Sequence, residues 1–201
     1  MIDTLINRIR FDITNSFALL DKWFDQDKRL LQHPPTTGGW TAAQILEHVM
    51  LTNHYLLILI EKGCAKALKN AQTMKVEFNG NIESLSRQEL LDIGDPKSFQ
   101  WERPEHMNPQ GNLSLAEIRM TIKTQRDLCL DCLDQLRNGE GLLYETTMTV
   151  NNLGKLNVYE YIEFLTLHLV RHIKQLDVNR KDYLKREEDV IEKTVSPRGG
   201  E

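Results

Sequence analysis

Phe164-Leu165-Thr166-Leu167-His168-Leu169-Val170-Arg171-His172-Ile173-Lys174-Gln175-Leu176 is the stretch whose reading decides the fold. Phe164, Leu165, Leu169 and Leu176 recur at helical spacing, and no proline or glycine interrupts them. His168 and His172 lie four residues apart, which places both rings on one helix face a single turn apart. Two imidazoles so placed can reach one metal ion from one helix. They also sit on or beside the face that should be buried, where an imidazole without a ligand needs a hydrogen-bond partner.

Asn157 and Glu160 mark the start of this helix, which is expected to run to about Lys185. Three further helical patterns precede it. The first spans about Asp3 to Leu31, with Leu5, Ile6, Ile9, Ile13, Phe17, Leu20 and Phe24 at spacings of three and four, and ends at His33-Pro34-Pro35. The second starts at a Thr41/Gln44 capping box, with Trp40 placed as a hydrophobic staple, and runs to about Lys69 with Gly63 as a weak point or effective end. The third opens at a Ser114/Glu117 capping box and reaches about Arg137.

Residues 71–112 form a long crossover between the second and third helices. Val76-Glu77-Phe78 reads as extended, Ser86-Arg87-Gln88-Glu89 as the cap of a short helix, and several prolines break the rest. So long a connection in a compact domain is ordered by packing or serves function. Between the third and fourth helices, residues 142–154 carry Tyr144, Thr146, Thr147, Thr149 and Val150, which suit a short strand or hairpin. The expected architecture is all-α: a four-helix bundle over residues 1–185, followed by a flexible charged tail over residues 186–201.

Composition narrows the function classes. The chain has 201 residues, 40% hydrophobic and 27% charged, with a net charge of -4. That balance argues against nucleic acid as a partner. The longest apolar run, Leu56 to Ile60, is far too short for a membrane span. The start carries Asp3, Arg8, Arg10 and Asp12, so no signal core forms there. Three cysteines do not suggest a disulfide framework, and a reducing cytoplasm is the expected location. Cys129-Leu130-Asp131-Cys132 lies deep in a helix, without the strand-to-helix setting of redox pairs, and reads with Cys64 as packing.

A third ligand to join His168 and His172 should come from a facing helix, and His48 in the second helix is the best candidate. Three imidazoles suit Zn²⁺, Ni²⁺ or another first-row ion. Three protein ligands with an open position is the catalytic pattern, whereas structural zinc takes four. Two histidines on a helix surface can also fall at this spacing without binding metal. His54 points elsewhere on its helix, and His33 and His106 read as solvated loop residues.

Gly39-Trp40-Thr41 through Glu47-His48 resembles the first signature of the DinB/YfiT-like superfamily of metalloenzymes. Leu153-Gly154-Lys155-Leu156, leading into Tyr161, Phe164, His168, Arg171-His172 and Gln175-Leu176, resembles the second. The resemblance implies a four-helix bundle, a divalent metal held by His48, His168 and His172, and frequent homodimers. Relatives include thiol-dependent S-transferases that use bacillithiol and a mycothiol-dependent isomerase, and others are described only as metal-dependent hydrolases. The leading expectation is therefore a thiol-dependent S-transferase acting with a low-molecular-weight thiol on a small-molecule substrate. A metal-dependent hydrolase and a non-catalytic dimeric metal-binding bundle are the alternatives.

Water or a thiol at the open position would be activated as hydroxide or thiolate. Gln175, one turn after His172, is placed to orient a ligand or water. Glu163 and Glu47 are placed to accept imidazole N–H bonds, with a solvated helix face the preferred reading for Glu47. Arg171 suits either an anionic cofactor or a surface salt bridge. Trp40, Phe78, Phe99 and Trp101 suit either a cavity wall or a plug for the bundle end.

Overall fold

The computed structural model describes residues 2–76, 88–99, 101 and 104–195. Helix α1 (Ile2–Asp21) stops short of the expected Leu31. A 3-10 turn at Lys22–Asp25 and a short α2 (Lys28–Gln32) replace its last turns. The break has local causes: Asp27 caps α2 by accepting the Arg29 N–H at 2.7 Å. Arg119 from a later helix also draws Asp21 and Asp25 to itself through four hydrogen bonds of 2.7 to 2.9 Å.

Helix α3 (Ala42–Asn70) begins where expected, with both arms of the Thr41/Gln44 capping box formed. It continues through Gly63, so that glycine is not an end. A Cβ there would stand 3.2 Å from Val158 Cγ2, which makes Gly63 a close-contact position on another helix. Helix α5 (Leu115–Gln135) opens on the Ser114/Glu117 capping box.

Strands β1 (Glu145–Met148) and β2 (Gly154–Asn157) form an antiparallel hairpin, with Thr146 opposite Leu156. The hairpin lies somewhat later than the expected 142–154, because β2 occupies the residues before Val158. Helix α6 (Val158–Val195) starts as Asn157 accepts the N–H groups of Tyr159 and Glu160. It continues past Lys185 to Val195, so that residues 186–195 are helical rather than an unstructured tail.

The fold is all-α apart from this hairpin. α3 packs on α5 and α6, and α1 packs on the same two helices, around one core that includes Ile13, Leu46, Ile60, Leu133, Phe164 and Leu169. Contact between Gly63 and Val158 sets the register of α3 against α6. Counting back along α3 from Gly63 reaches His48, and counting forward along α6 from Val158 over a nearly equal length reaches His172. The antiparallel helices thus bring the histidines level.

Within the crossover, α4 (Gln88–Leu91) and the 3-10 turn after it bury Leu90 and Ile93 and pack on α6. The crossover is therefore ordered by packing over these residues. The expected extended segment at Glu77-Phe78 and the cap at Ser86 lie outside the described residues.

Candidate metal centre

His48 on α3 and His168 and His172 on α6 converge as anticipated. Among the described residues they form the one group of three metal-capable side chains, with a ring nitrogen from each within 4.8 Å of the others. Ring centroids are 5.5 Å apart for His48 and His168, 4.8 Å for His48 and His172, and 4.4 Å for His168 and His172. All three are buried, His168 with 2% of its surface exposed.

The hydrogen bonds fix which nitrogen faces the centre. Nδ1 of His48 lies 2.7 Å from the Met107 carbonyl, and Nδ1 of His172 lies 2.8 Å from Gln175 Oε1. Both partners are acceptors, so each Nδ1 carries a proton, and in the neutral form of the ring Nε2 keeps its lone pair. Nε2 of His172 then comes within 2.9 Å of Nε2 of His168. His168 Nδ1 is buried without a partner among the described residues, so either a proton on Nε2 or a cation lies between the two nitrogens, and a divalent ion accommodates the third imidazole as well. Burial holds the His168 pKa well below the ordinary histidine value, reinforced by His172, His48 and Arg171. A neutral imidazole is the form that ligates metal. The donor set fits a first-row divalent ion.

The centre opens onto a cavity of about 830 Å³. Trp40, Phe99 and Trp101 supply its aromatic walls, Thr52 lies one turn beyond His48, and Gly38 and Lys97 stand among its lining residues. Trp40 leans on the His48 ring at 4.7 Å and is held by Asn179, which donates to its carbonyl at 2.9 Å. Trp101 meets His168 edge-on at 5.3 Å. These aromatics line the site instead of plugging an end of the molecule. Phe78 lies outside the described residues.

Other candidates fall differently. Gln175 orients the His172 ring, its Oε1 lying 2.8 Å from Nδ1. Glu163 is turned to α1, where Oε1 accepts from Arg8 Nη1 at 2.9 Å, so it does not support an imidazole. Burial pushes the Glu163 carboxyl pKa up, and Arg8 opposes that shift.

Glu47 is 4% exposed, not solvated. It accepts the backbone N–H groups of Gln110 and Gly111, because the crossover folds over that face of α3. His33 is buried as well, with Nε2 2.7 Å from Asp182. Arg171 is not a surface residue, and among the described residues it forms no salt bridge; its guanidinium bonds to carbonyls of the crossover. The Met107 carbonyl carries no side-chain signature, so its role was not readable from residue types. His54 and His106 are exposed, and each packs against Tyr55.

This is an all-α protein whose buried three-histidine group could hold a metal ion. The chain belongs to the DinB superfamily, whose sequence model matches residues 13–176. No match was found among curated proteins or among solved structures. Among the described residues, no helix is long and apolar enough to cross a membrane.

Proposed function

We propose that the protein is a metal-dependent enzyme in which His48, His168 and His172 hold one divalent ion, Zn²⁺ or Ni²⁺, and that it transfers a small thiol to an electrophile. The observation that carries this reading is the convergence of three buried imidazoles from two helices beside a cavity large enough for a small molecule. When bound, the ion would supply Lewis acidity and lower the pKa of a thiol or water drawn to it. Met107 and Gln175 orient two of the rings by accepting their Nδ1 protons. The walls formed by Trp40, Phe99 and Trp101 exclude water and give apolar surface to the ligand. Three buried free cysteines suit a reducing cytoplasm, and a homodimer belongs to the same proposal on the family resemblance.

Untagged protein should carry stoichiometric metal after reconstitution, and His168→Ala should lose it. A wild type that takes up no ion would overturn the proposal. The reconstituted protein, offered low-molecular-weight thiols with simple electrophiles, should form conjugates visible by mass spectrometry. Hydrolysis of the electrophile without conjugate would favour the hydrolase reading instead.

A further inference from the structure

The crossover is fastened to the histidine helices at the residues that adjoin the histidines in sequence. On α3, Glu47 precedes His48, and its carboxylate accepts from Gln110 N at 3.0 Å and Gly111 N at 2.9 Å. On α6, Arg171 precedes His172. Its Nη1 donates to the Asp95 carbonyl, and its Nη2 donates to Pro96 O at 3.3 Å and Phe99 O at 3.1 Å. Lys174 adds a bond from Nζ to Gly94 O at 2.7 Å.

The guanidinium carbon also lies 5.1 Å from the Phe99 ring centre and 5.8 Å from that of Trp101. Trp101 in turn touches His168 and Phe164. Gly94 fits closely beneath, since a Cβ there would stand 3.2 Å from Leu167 Cδ2.

Burying a guanidinium is costly, and an apolar contact would anchor a loop with less desolvation. What the arginine adds is geometry: a planar fork that fixes three carbonyls at once, with two ring faces beside it. We infer that Arg171 is a positioning residue for the histidine centre, fixing residues 94–99 and Trp101 as the wall that sets Trp101 against His168. With Glu47 and the Met107 carbonyl, it makes the crossover a component of the metal site rather than a connection passing over it. The role rests on the metal-binding proposal. Linkage then requires that an ion bound by the histidines tightens the crossover, and that a fixed crossover tightens the ion.

The test uses untagged full-length protein, Zn²⁺-loaded and chelator-treated, as wild type, Arg171→Gln, Arg171→Lys and the remote control Arg119→Gln. Three quantities are read: Zn²⁺ affinity by competition with a chromophoric chelator, amide exchange over 94–99 and 104–111, and the visible spectrum of the Co²⁺ form. Arg171→Gln should weaken Zn²⁺ by about tenfold, the low end of losses for groups behind a ligand. It should also speed exchange in both segments and shift the Co²⁺ bands.

Arg171→Lys keeps the charge but serves fewer carbonyls, so it should recover part of each effect and guard against a folding failure of the glutamine variant. Arg119→Gln should change none of the three. Unchanged affinity and spectrum in Arg171→Gln, despite faster exchange, would reduce Arg171 to a structural anchor and overturn its positioning role. Unchanged exchange would overturn it too. A wild type that binds no ion removes the metal proposal and this role together, whereas an ion-binding wild type indifferent to Arg171→Gln removes the role alone.

Discussion

Three histidines and three cysteines of this molecule have opposite characters, and among the described residues only the histidines bring all three ligand atoms together. On α3, His48 and Cys64 are about 24 Å apart along the axis. At the histidines two of the three rings hydrogen-bond to acceptors, polar loop backbone folds over the site, and a cavity opens beside it. Cys64, Cys129 and Cys132 are buried in the core, the dry side of the molecule by packing alone, with Leu133 and Leu136 fully buried nearby in sequence. Burial pushes the Cys129 thiol up to about 12, with Glu61 adding to the shift, and the Cys132 thiol is also raised, by its contact with Cys64 and by burial, while the same contact lowers Cys64. A thiol that stays protonated is a poor ligand and a poor nucleophile. Buried ligand-type residues alone do not make a site. Oriented donors with an open volume beside them do.

The largest expected break in this contrast lies on the dry side. Leu133→Ala removes a fully buried side chain and should cost about 2 to 5 kcal/mol of unfolding free energy, measured by denaturant titration. Metal stoichiometry per folded molecule should stay unchanged. Gln175→Leu attacks the other side. It deletes the acceptor of the His172 Nδ1 proton on a partly buried residue, and should weaken metal affinity by about 10- to 100-fold. Apo-protein stability should shift by less than about 0.5 kcal/mol, as for ordinary near-surface changes. If Gln175→Leu destabilised the apo-protein as severely as Leu133→Ala does, the distinction between site and core would fail.

Much of this contrast was legible in residue spacing. The i, i+4 pair on α6, the two capping boxes and the helical periodicity placed His48, His168 and His172 on facing helices, because these features act within one turn of chain. The internal position of Cys129 and Cys132 likewise marked them as packing. What spacing could not reveal depends on backbone from distant segments. Glu47 looked solvated and Arg171 looked like a surface cation, yet the crossover brings Gly111 to one and Asp95, Pro96 and Phe99 to the other. The break after Asp21 was hidden for the same reason, since apolar spacing continues through it while Arg119, from α5, holds its acidic residues. His33 read as solvated beside its prolines because its partner, Asp182, is far along the chain on α6.

That last pair yields the smallest effect, and it concerns the loop leading to the cavity. Asp182 accepts from the Thr36 N–H at 3.1 Å and from the Thr36 hydroxyl, and lies 2.7 Å from His33 Nε2. The Thr36 hydroxyl, followed by His33, lowers the Asp182 pKa to about 2 from its ordinary value of 3.8. A carboxyl whose folded pKa is depressed contributes stability that is fully present above its unfolded pKa and is lost as pH falls through its folded pKa. The window is therefore about pH 4 down to about pH 2, and neutral pH lies on its stable side. Asp182→Asn should flatten the fall in melting temperature across that window while leaving the slope above pH 5 unchanged. The loop it releases, Pro35 to Gly39, lines the cavity, so metal binding at neutral pH should change far less in Asp182→Asn than in Gln175→Leu. Equal losses in the two variants would mean that the loop, and not the pairing of donors with their acceptors, separates the histidine trio from the cysteine trio.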